Sequence, residues 1–250
     1  MKVFNYKDVG KAIGWNFENV NYSVVSQSGF DYYKEVVSHI TSKTKILDIG
    51  CGSAEKAVRF YALAKKIYLT DLEPEMLARA KRNVEKIYEN DLNLKKKFSF
   101  KILDCEDFFD FPDCYFDMVV SRHCGANMKE VFRVLKPGGI FVSEDYSSYD
   151  CFEIKEIFGR GQNYKEEPFY NRVMTECVDA GFSKIEFLRF EEIEHYKGED
   201  DLKYLLSHTP ILNGFDDAAD DEKLKEYVKK FSSKKGIRLN RKLHAFVLKK

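Results

Sequence analysis

Three aspartates stand where short apolar runs give out: Asp48 in ILDIGCGSA, Asp71 in YLTDL and Asp104 in KILDC. Behind the first come Gly50 and Gly52. A strand that turns through glycines into a helix leaves free backbone N–H groups over the strand end, and glycine lets a ligand approach that backbone closely. Such a loop alone would suit many anionic ligands. Asp48 narrows the choice, because a carboxylate just before the glycines repels a pyrophosphate. Glu55 sits where the dinucleotide-binding pattern GxGxxG wants Gly or Ala. The same carboxylate suits an ammonium, while the helix N-terminus suits a carboxylate. The chemistry is that of holding an amino-acid group without a phosphate.

S-adenosylmethionine (SAM) carries both groups and no phosphate, so the loop prefers it over NAD. At the end of the second strand, Asp71 could accept hydrogen bonds from both ribose hydroxyls. At the end of the third, the Asp104 side chain and the Cys105 backbone N–H could bind the adenine edge. Taken singly, each acid is more often a strand-end turn residue. Three on one rim are hard to assign to chance, and open α/β sheets bind ligands at that rim.

The elements that must position these residues alternate. Residues 45–49, 67–70, 98–103, 116–121 and 140–144 read as strands. Residues 30–40, 55–64, 74–89 and 128–135 read as helices, the last stopped by Lys136-Pro137-Gly138-Gly139. Pro74 and Glu75 mark the start of their helix. Strand–helix alternation at this spacing implies parallel strands and right-handed crossovers. Farther on, 169–180 reads as a helix and 184–193 and 242–248 as strands. Between those strands lie two amphipathic helical patterns, 200–207 and 222–231.

Residues 45–146 resemble a class I SAM-dependent methyltransferase of the broad small-molecule type. LDIGCG is similar to that family's first motif, and TDLEPEMLARAKRN to its second strand and following helix. LDCEDFFDFPDCYFDMVVS is similar to its adenine loop and fourth strand, and EVFRVLKPGGIFVSEDY to its KPGG turn and fifth strand. As an ordered set the match is specific. Ala54 stands where many members have a third glycine, a substitution expected to lose little, and Asp110 looks like one extra residue in the adenine loop.

The resemblance implies a doubly wound Rossmann-like α/β sheet of seven strands, the last antiparallel, with an N-terminal helical cap. It implies a single domain: 1–40 as cap, 41–195 as core, 196–241 as a lid insertion over the substrate, and 242–250 as the final strand. It also implies SAM as cofactor, held by Asp48, Gly50, Cys51, Gly52, Asp71, Leu72, Met76, Asp104, Cys105 and Ser121.

Methyl transfer needs a general base only if the acceptor arrives protonated. After the fourth strand comes Ser121-Arg122-His123-Cys124-Gly125. His123 is the base candidate by type and place, against the plainer reading that it only packs in the loop. Arg122 could hold an anionic substrate group or form a structural ion pair. Tyr146 could line the substrate pocket or be an ordinary wall residue. Cys124 lacks the Pro-Cys context of a cytosine-C5 nucleophile, and the amino-methylating signature of Asn or Asp, two prolines and an aromatic is absent. Trp15, Phe17 and Tyr22 could cap the ligand, or simply pin the N-terminal segment to the core.

The formal net charge is zero, which removes a global electrostatic case for a nucleic-acid partner. Six cysteines without a CxxC pair, and an N-terminus without a secretory pattern, point to reduced thiols in a cytoplasmic chain. No histidine joins the cysteines at zinc-ligand spacing, so no metal is expected. The lysine runs 95–97, 229–230 and 234–235 read as solvated faces. The expectation is a SAM-dependent transferase with a small-molecule acceptor and no membrane partner. An RNA base methyltransferase and a non-catalytic SAM-binding protein are the alternatives; nucleic acid is not excluded as a partner, and the oligomeric state is left open.

Overall fold

The computed structural model describes residues 20–26, 30–162 and 170–250; Trp15 and Phe17 lie outside them. Its strands are β1 (Tyr22–Ser26), β2 (Lys45–Ile49), β3 (Lys66–Asp71), β4 (Phe98–Ile102), β5 (Phe116–Arg122), β6 (Leu135–Tyr146), β7 (Lys184–Tyr196), β8 (Ser232–Ser233) and β9 (Gly236–Lys249). Its helices are α1 (Tyr32–Ser38), α2 (Ala57–Tyr61), α3 (Pro74–Ile87), α4 (Leu92–Lys95), α5 (Met128–Val134), α6 (Phe152–Phe158), α7 (Tyr170–Ala180), α8 (Glu199–His208) and α9 (Asp221–Phe231). Of the described residues, 30–145, 170–188 and 245–250 form a larger compact unit, and 20–26, 146–162 and 189–244 a smaller one.

In the larger unit the strand order is β7-β9-β6-β5-β2-β3-β4. The pairs β2–β3, β2–β5, β3–β4 and β5–β6 are parallel. β9 runs against β6: Gly138 N–H donates to Lys250 C=O at 3.1 Å, and Lys250 N–H donates to Gly139 C=O at 3.0 Å. Parallel strands are buried on both faces, which is why β2 and β5 read as nearly unbroken apolar runs. Successive side chains point to opposite faces. Ile46, Ile67, Leu69, Met118 and Val120 pack on one side with Val36, Val58, Ala80 and Val84. Leu47, Ile49, Val119 and Phe141 pack on the other with Val131, Val134 and Cys177. In α3, Pro74 takes the first turn and Met76, Leu77, Ala80 and Val84 are buried, a single apolar face.

The smaller unit has its own core, with Ile154, Phe158, Tyr196, Leu202, Leu206, Leu212, Leu224, Tyr227 and Leu239. There β1 pairs antiparallel with β7 and β8 with β9. Tyr22 stacks on Tyr196 with ring centroids 5.4 Å apart.

Nine strands form the sheet among the described residues, where the resemblance implied seven. β7 and β9 are 13 and 14 residues long, and β1 and β8 pair along their extra length. That length was hidden by buried polar residues. Glu194 and His195 in β7 and Arg241 in β9 are inside, so the apolar alternation breaks early in the sequence. Arg241 tolerates burial because Nε and Nη2 donate to the Asp150 carboxylate, each at 3.0 Å, and Nη1 reaches Glu194 at 3.2 Å. The helix expected over 55–64 is shortened to α2, closed by a tight Ala64 N–H to Tyr61 C=O bond of 2.9 Å. Lys136-Pro137-Gly138-Gly139, expected to separate helix from strand, lies inside β6, whose pairing with β5 shifts register between Phe116 and Met118.

Candidate active site

β2 delivers the chain into a loop whose backbone turns left-handed at Gly50 (φ +64°), Gly52 (φ +56°) and Ala54 (φ +51°). Ala54, expected from its small size to lose little, carries in its left-handed backbone a conformational cost that glycine would avoid, on the order of 1 kcal/mol. Cys51 N–H donates to Thr70 C=O at 2.8 Å, tying the loop to β3. Cys51 Sγ donates to Gly52 C=O at 3.4 Å, and burial pushes this thiol's pKa up.

Asp48 is buried, and Tyr61 Oη donates to its Oδ2 at 3.0 Å. Burial pushes this carboxyl up to about 7, with nearby Asp71 adding to the rise and the Tyr61 bond opposing it. A carboxyl held so far above its ordinary range stores a demand for a cation. Asp71 accepts from Gly52 N–H (2.9 Å) on one oxygen and from Glu73 N–H (2.9 Å) on the other. It therefore shapes both the glycine loop and the start of α3. A carboxylate has about four acceptor sites, which leaves room for a ribose hydroxyl beside the backbone N–H groups of Gly52, Glu73 and Leu72. Burial raises the Asp71 pKa, and these backbone bonds restrain it.

Leu72 is 49% exposed and Ile102, which pairs with Asp71 across β3–β4, is 57% exposed. Two large apolar side chains in water at neighbouring strand ends form a ready wall for a flat ring; the sequence singled out Leu72 and not Ile102. Met76 is buried beneath the loop, its methyl 3.6 Å from where a Gly52 Cβ would stand. Asp104 is exposed, and its Oδ1 accepts from Glu106 N–H at 3.0 Å. The Cys105 carbonyl accepts from Asn127 N–H at 2.7 Å.

At the end of β5, Ser121 is fully buried and its Oγ donates to Cys124 C=O at 2.7 Å, so it shapes the turn that follows. Arg122 Nε donates to Glu144 Oε1 at 2.8 Å. Its guanidinium lies 5.5 and 5.8 Å from the Tyr33 and Tyr32 ring centroids. His123 is left-handed (φ +57°), and its N–H donates to Glu144 C=O at 2.8 Å. Its Nε2 and Nδ1 each stand 3.9 Å from a carboxylate oxygen, of Glu144 and Asp145 respectively.

Tyr32 is 3% exposed, and its hydroxyl has no hydrogen-bond partner among the described residues. Asp48, Arg122 and Glu144 are the charged groups around it. No sequence signal distinguishes an orphaned hydroxyl from an ordinary buried ring. Tyr146 belongs to the smaller unit, where its ring lies 4.1 Å from the Arg241 guanidinium. The other predicted site residues all lie in the larger unit.

A sheet of this order, with a glycine loop and acids at successive strand ends, defines the class I SAM-dependent methyltransferases. The chain belongs to that family: the model described as a methyltransferase domain matches residues 40–209. It is similar to the ubiquinone/menaquinone biosynthesis C-methyltransferases UbiE of two bacteria. With that of Rickettsia akari it shares 28% identity over 177 residues, 64% of this chain and 65% of the relative. With that of Rickettsia bellii it shares 32% over 176 residues, 65% and 66%. The chain thus spans just under two thirds of the length of these relatives. Among solved structures, the YcgJ protein of Bacillus subtilis superposes with a TM-score of 0.57 at 18% identity, covering 87% of this chain and 96% of that one, a likeness of fold.

Proposed function

We propose that this chain transfers a methyl group from SAM to a small-molecule acceptor. The observation that carries the reading is the arrangement of Asp48 and Asp71 around Gly50 and Gly52: a buried carboxyl that wants a cation, beside a glycine loop that Asp71 ties to the start of α3. SAM supplies a methyl on a sulfonium, already a strong electrophile, so the chain's work is orientation and exclusion of water. Asp48 holds the ammonium, and the glycine loop, including Cys51, holds the carboxylate. Asp71 takes the ribose. Leu72 and Ile102 flank the adenine, whose edge meets Asp104 and the Cys105 N–H, and Met76 supports the loop from below. His123, held between Glu144 and Asp145, accepts a proton when the acceptor arrives protonated. A small acceptor is supported by the names of the UbiE relatives and by the balanced charge of the chain. Among the described residues no helix is long and apolar enough to cross a membrane.

The test is calorimetric titration with SAM and S-adenosylhomocysteine, with NADH as control and Asp71→Ala alongside. Both adenosyl compounds should bind, NADH should not, and Asp71→Ala should weaken binding by about 100-fold or more, as expected for a lost bidentate, charge-assisted contact. Binding of NADH in place of SAM would sink the reading. A second expectation concerns Tyr32. Tyr32→Phe removes a buried hydroxyl with no partner among the described residues, so the free protein should melt at or above the parent temperature. SAM affinity should nevertheless fall by about tenfold, the size of one lost hydrogen bond. An unchanged affinity would mean that the hydroxyl faces no part of the ligand.

A further inference from the structure

The loop after β4 is held along its length by a single row of side chains. Asn127, Glu130 and Arg133 are three residues apart, so they lie on one side of α5 and its cap. Met128, Val131 and Val134 make the neighbouring row and are buried. Asn127 is the N-cap, and its Oδ1 accepts from Glu130 N–H at 3.3 Å. Its backbone N–H donates to Cys105 C=O at 2.7 Å, and its Nδ2 donates to Glu106 C=O at 3.3 Å. Farther along, Glu130 Oε2 accepts from Phe109 N–H at 2.9 Å. Arg133 Nη2 donates to Phe109 C=O at 2.7 Å, and Nη1 donates to Phe111 C=O at 2.8 Å. Phe109 is fully buried, so packing also anchors its half of the loop. Asp104, Glu106 and Asp107 are exposed, which leaves hydrogen bonds to fix the near half.

One peptide unit joins Asn127 to Asp104. The peptide between Cys105 and Glu106 accepts from Asn127 N–H through its C=O, and donates to Asp104 Oδ1 through its N–H at 3.0 Å. The Asn127 side chain grips the next carbonyl, that of Glu106, and so keeps the first peptide from turning. We propose that Asn127 is a positioning residue for base selectivity: it aims Asp104 at the amino group of adenine, so that the chain takes adenine over a deaminated base. Asp104 meets the adenine edge in the SAM reading above, and the selectivity rests on that reading. Adenine presents an amino donor where hypoxanthine presents a carbonyl oxygen. A carboxylate held in place accepts from the first and repels the second. Selectivity is the difference between those two affinities. A carboxylate free to swing aside gives up both the attraction and the repulsion.

The experiment uses the full chain and two ligands that differ only in the base, S-adenosylhomocysteine and S-inosylhomocysteine. Both are titrated by calorimetry into the parent, Asn127→Asp and Asn127→Ser. Each substitution keeps a side-chain oxygen to cap α5, so melting temperatures should stay within about 3 °C of the parent. Neither keeps the bond to Glu106 C=O, because aspartate has no donor there and serine is too short. The parent should prefer the adenosyl compound by at least about 30-fold. In both variants that preference should fall by about tenfold, with adenosyl binding weaker and inosyl binding within about twofold of the parent. Hydrogen exchange over residues 104–107, measured without ligand, should quicken in both variants. An unchanged preference overturns the proposal, and so does equal weakening of the two ligands, which would make Asn127 a helix cap and nothing more. A loss in Asn127→Asp alone would trace the effect to the added charge beside Glu106 and overturn it too. Unchanged exchange would break the route through the loop. A parent that binds neither compound removes the SAM reading and the selectivity together. A parent that binds both alike leaves SAM standing and removes the role of Asp104 and Asn127.

Discussion

Asp48→Asn is expected to melt above the parent protein at pH 8 and to bind SAM at least about 100-fold more weakly, a loss that fits a buried charge-assisted contact. The two effects have one origin. In the unfolded chain Asp48 gives up its proton near the ordinary carboxyl value of 3.8; in the fold it holds it until about 7. Its contribution to stability is therefore fully present below pH 4 and is lost as pH rises through 7. At 1.36 kcal/mol per unit the loss is on the order of 4 kcal/mol, for a group wholly inside the protein. Asparagine keeps an oxygen for the Tyr61 hydroxyl and never ionises, so above pH 7 the variant escapes the penalty. The penalty is what the cofactor relieves. An ammonium beside Asp48 favours the ionised form, so below pH 7 binding must expel a proton. SAM affinity of the parent should rise from pH 6 to pH 8, with proton release at pH 6 visible as a dependence of the calorimetric heat on buffer ionisation enthalpy. An Asp48→Asn protein that is less stable at pH 8, or that binds as the parent does, contradicts this account.

Gly50→Ala is expected to lose about 3 kcal/mol of stability, and Gly52→Ala only about 1 kcal/mol, although both glycines have the same left-handed backbone. The difference is in what the new methyl meets. At position 50 it would stand 2.5 Å from Cys124 Sγ and 2.6 Å from Cys124 Cβ. A Cβ is not the free end of a side chain, so the turn held by Ser121 and Cys124 must itself shift. At position 52 the nearest atom is the Met76 methyl at 3.6 Å, an ordinary contact. Thermal melts of the two variants should differ by several degrees, at about 2–4 °C per kcal/mol for a chain of this size. Gly50→Ala should also fail to bind SAM measurably, since the loop and its neighbour move together. Equal destabilisation by the two substitutions would show that backbone strain, not the Cys124 contact, governs position 50.

These variants separate two kinds of information in the chain. The alternation of β2 to β6 with their helices was legible because its signals are local. A strand buried on both faces must be an apolar run, and a helix must begin at a residue such as Pro74 and keep Met76, Leu77, Ala80 and Val84 on one side. The acids at the strand ends and the glycines behind Asp48 were legible for the same reason, and their types alone favoured an amino-acid ligand over a pyrophosphate. The length of β7 and β9 was not, because Glu194, His195 and Arg241 look like solvent-facing residues until the fold supplies partners such as Asp150. Nor was the orphaned hydroxyl of Tyr32, or a carboxyl at Asp48 that titrates near 7. Each of these depends on how far apart two groups end up and how much water lies between them. Local pattern is written into neighbouring residues, whereas contact and desolvation arise only when distant segments are brought together, so the tertiary structure alone decided them.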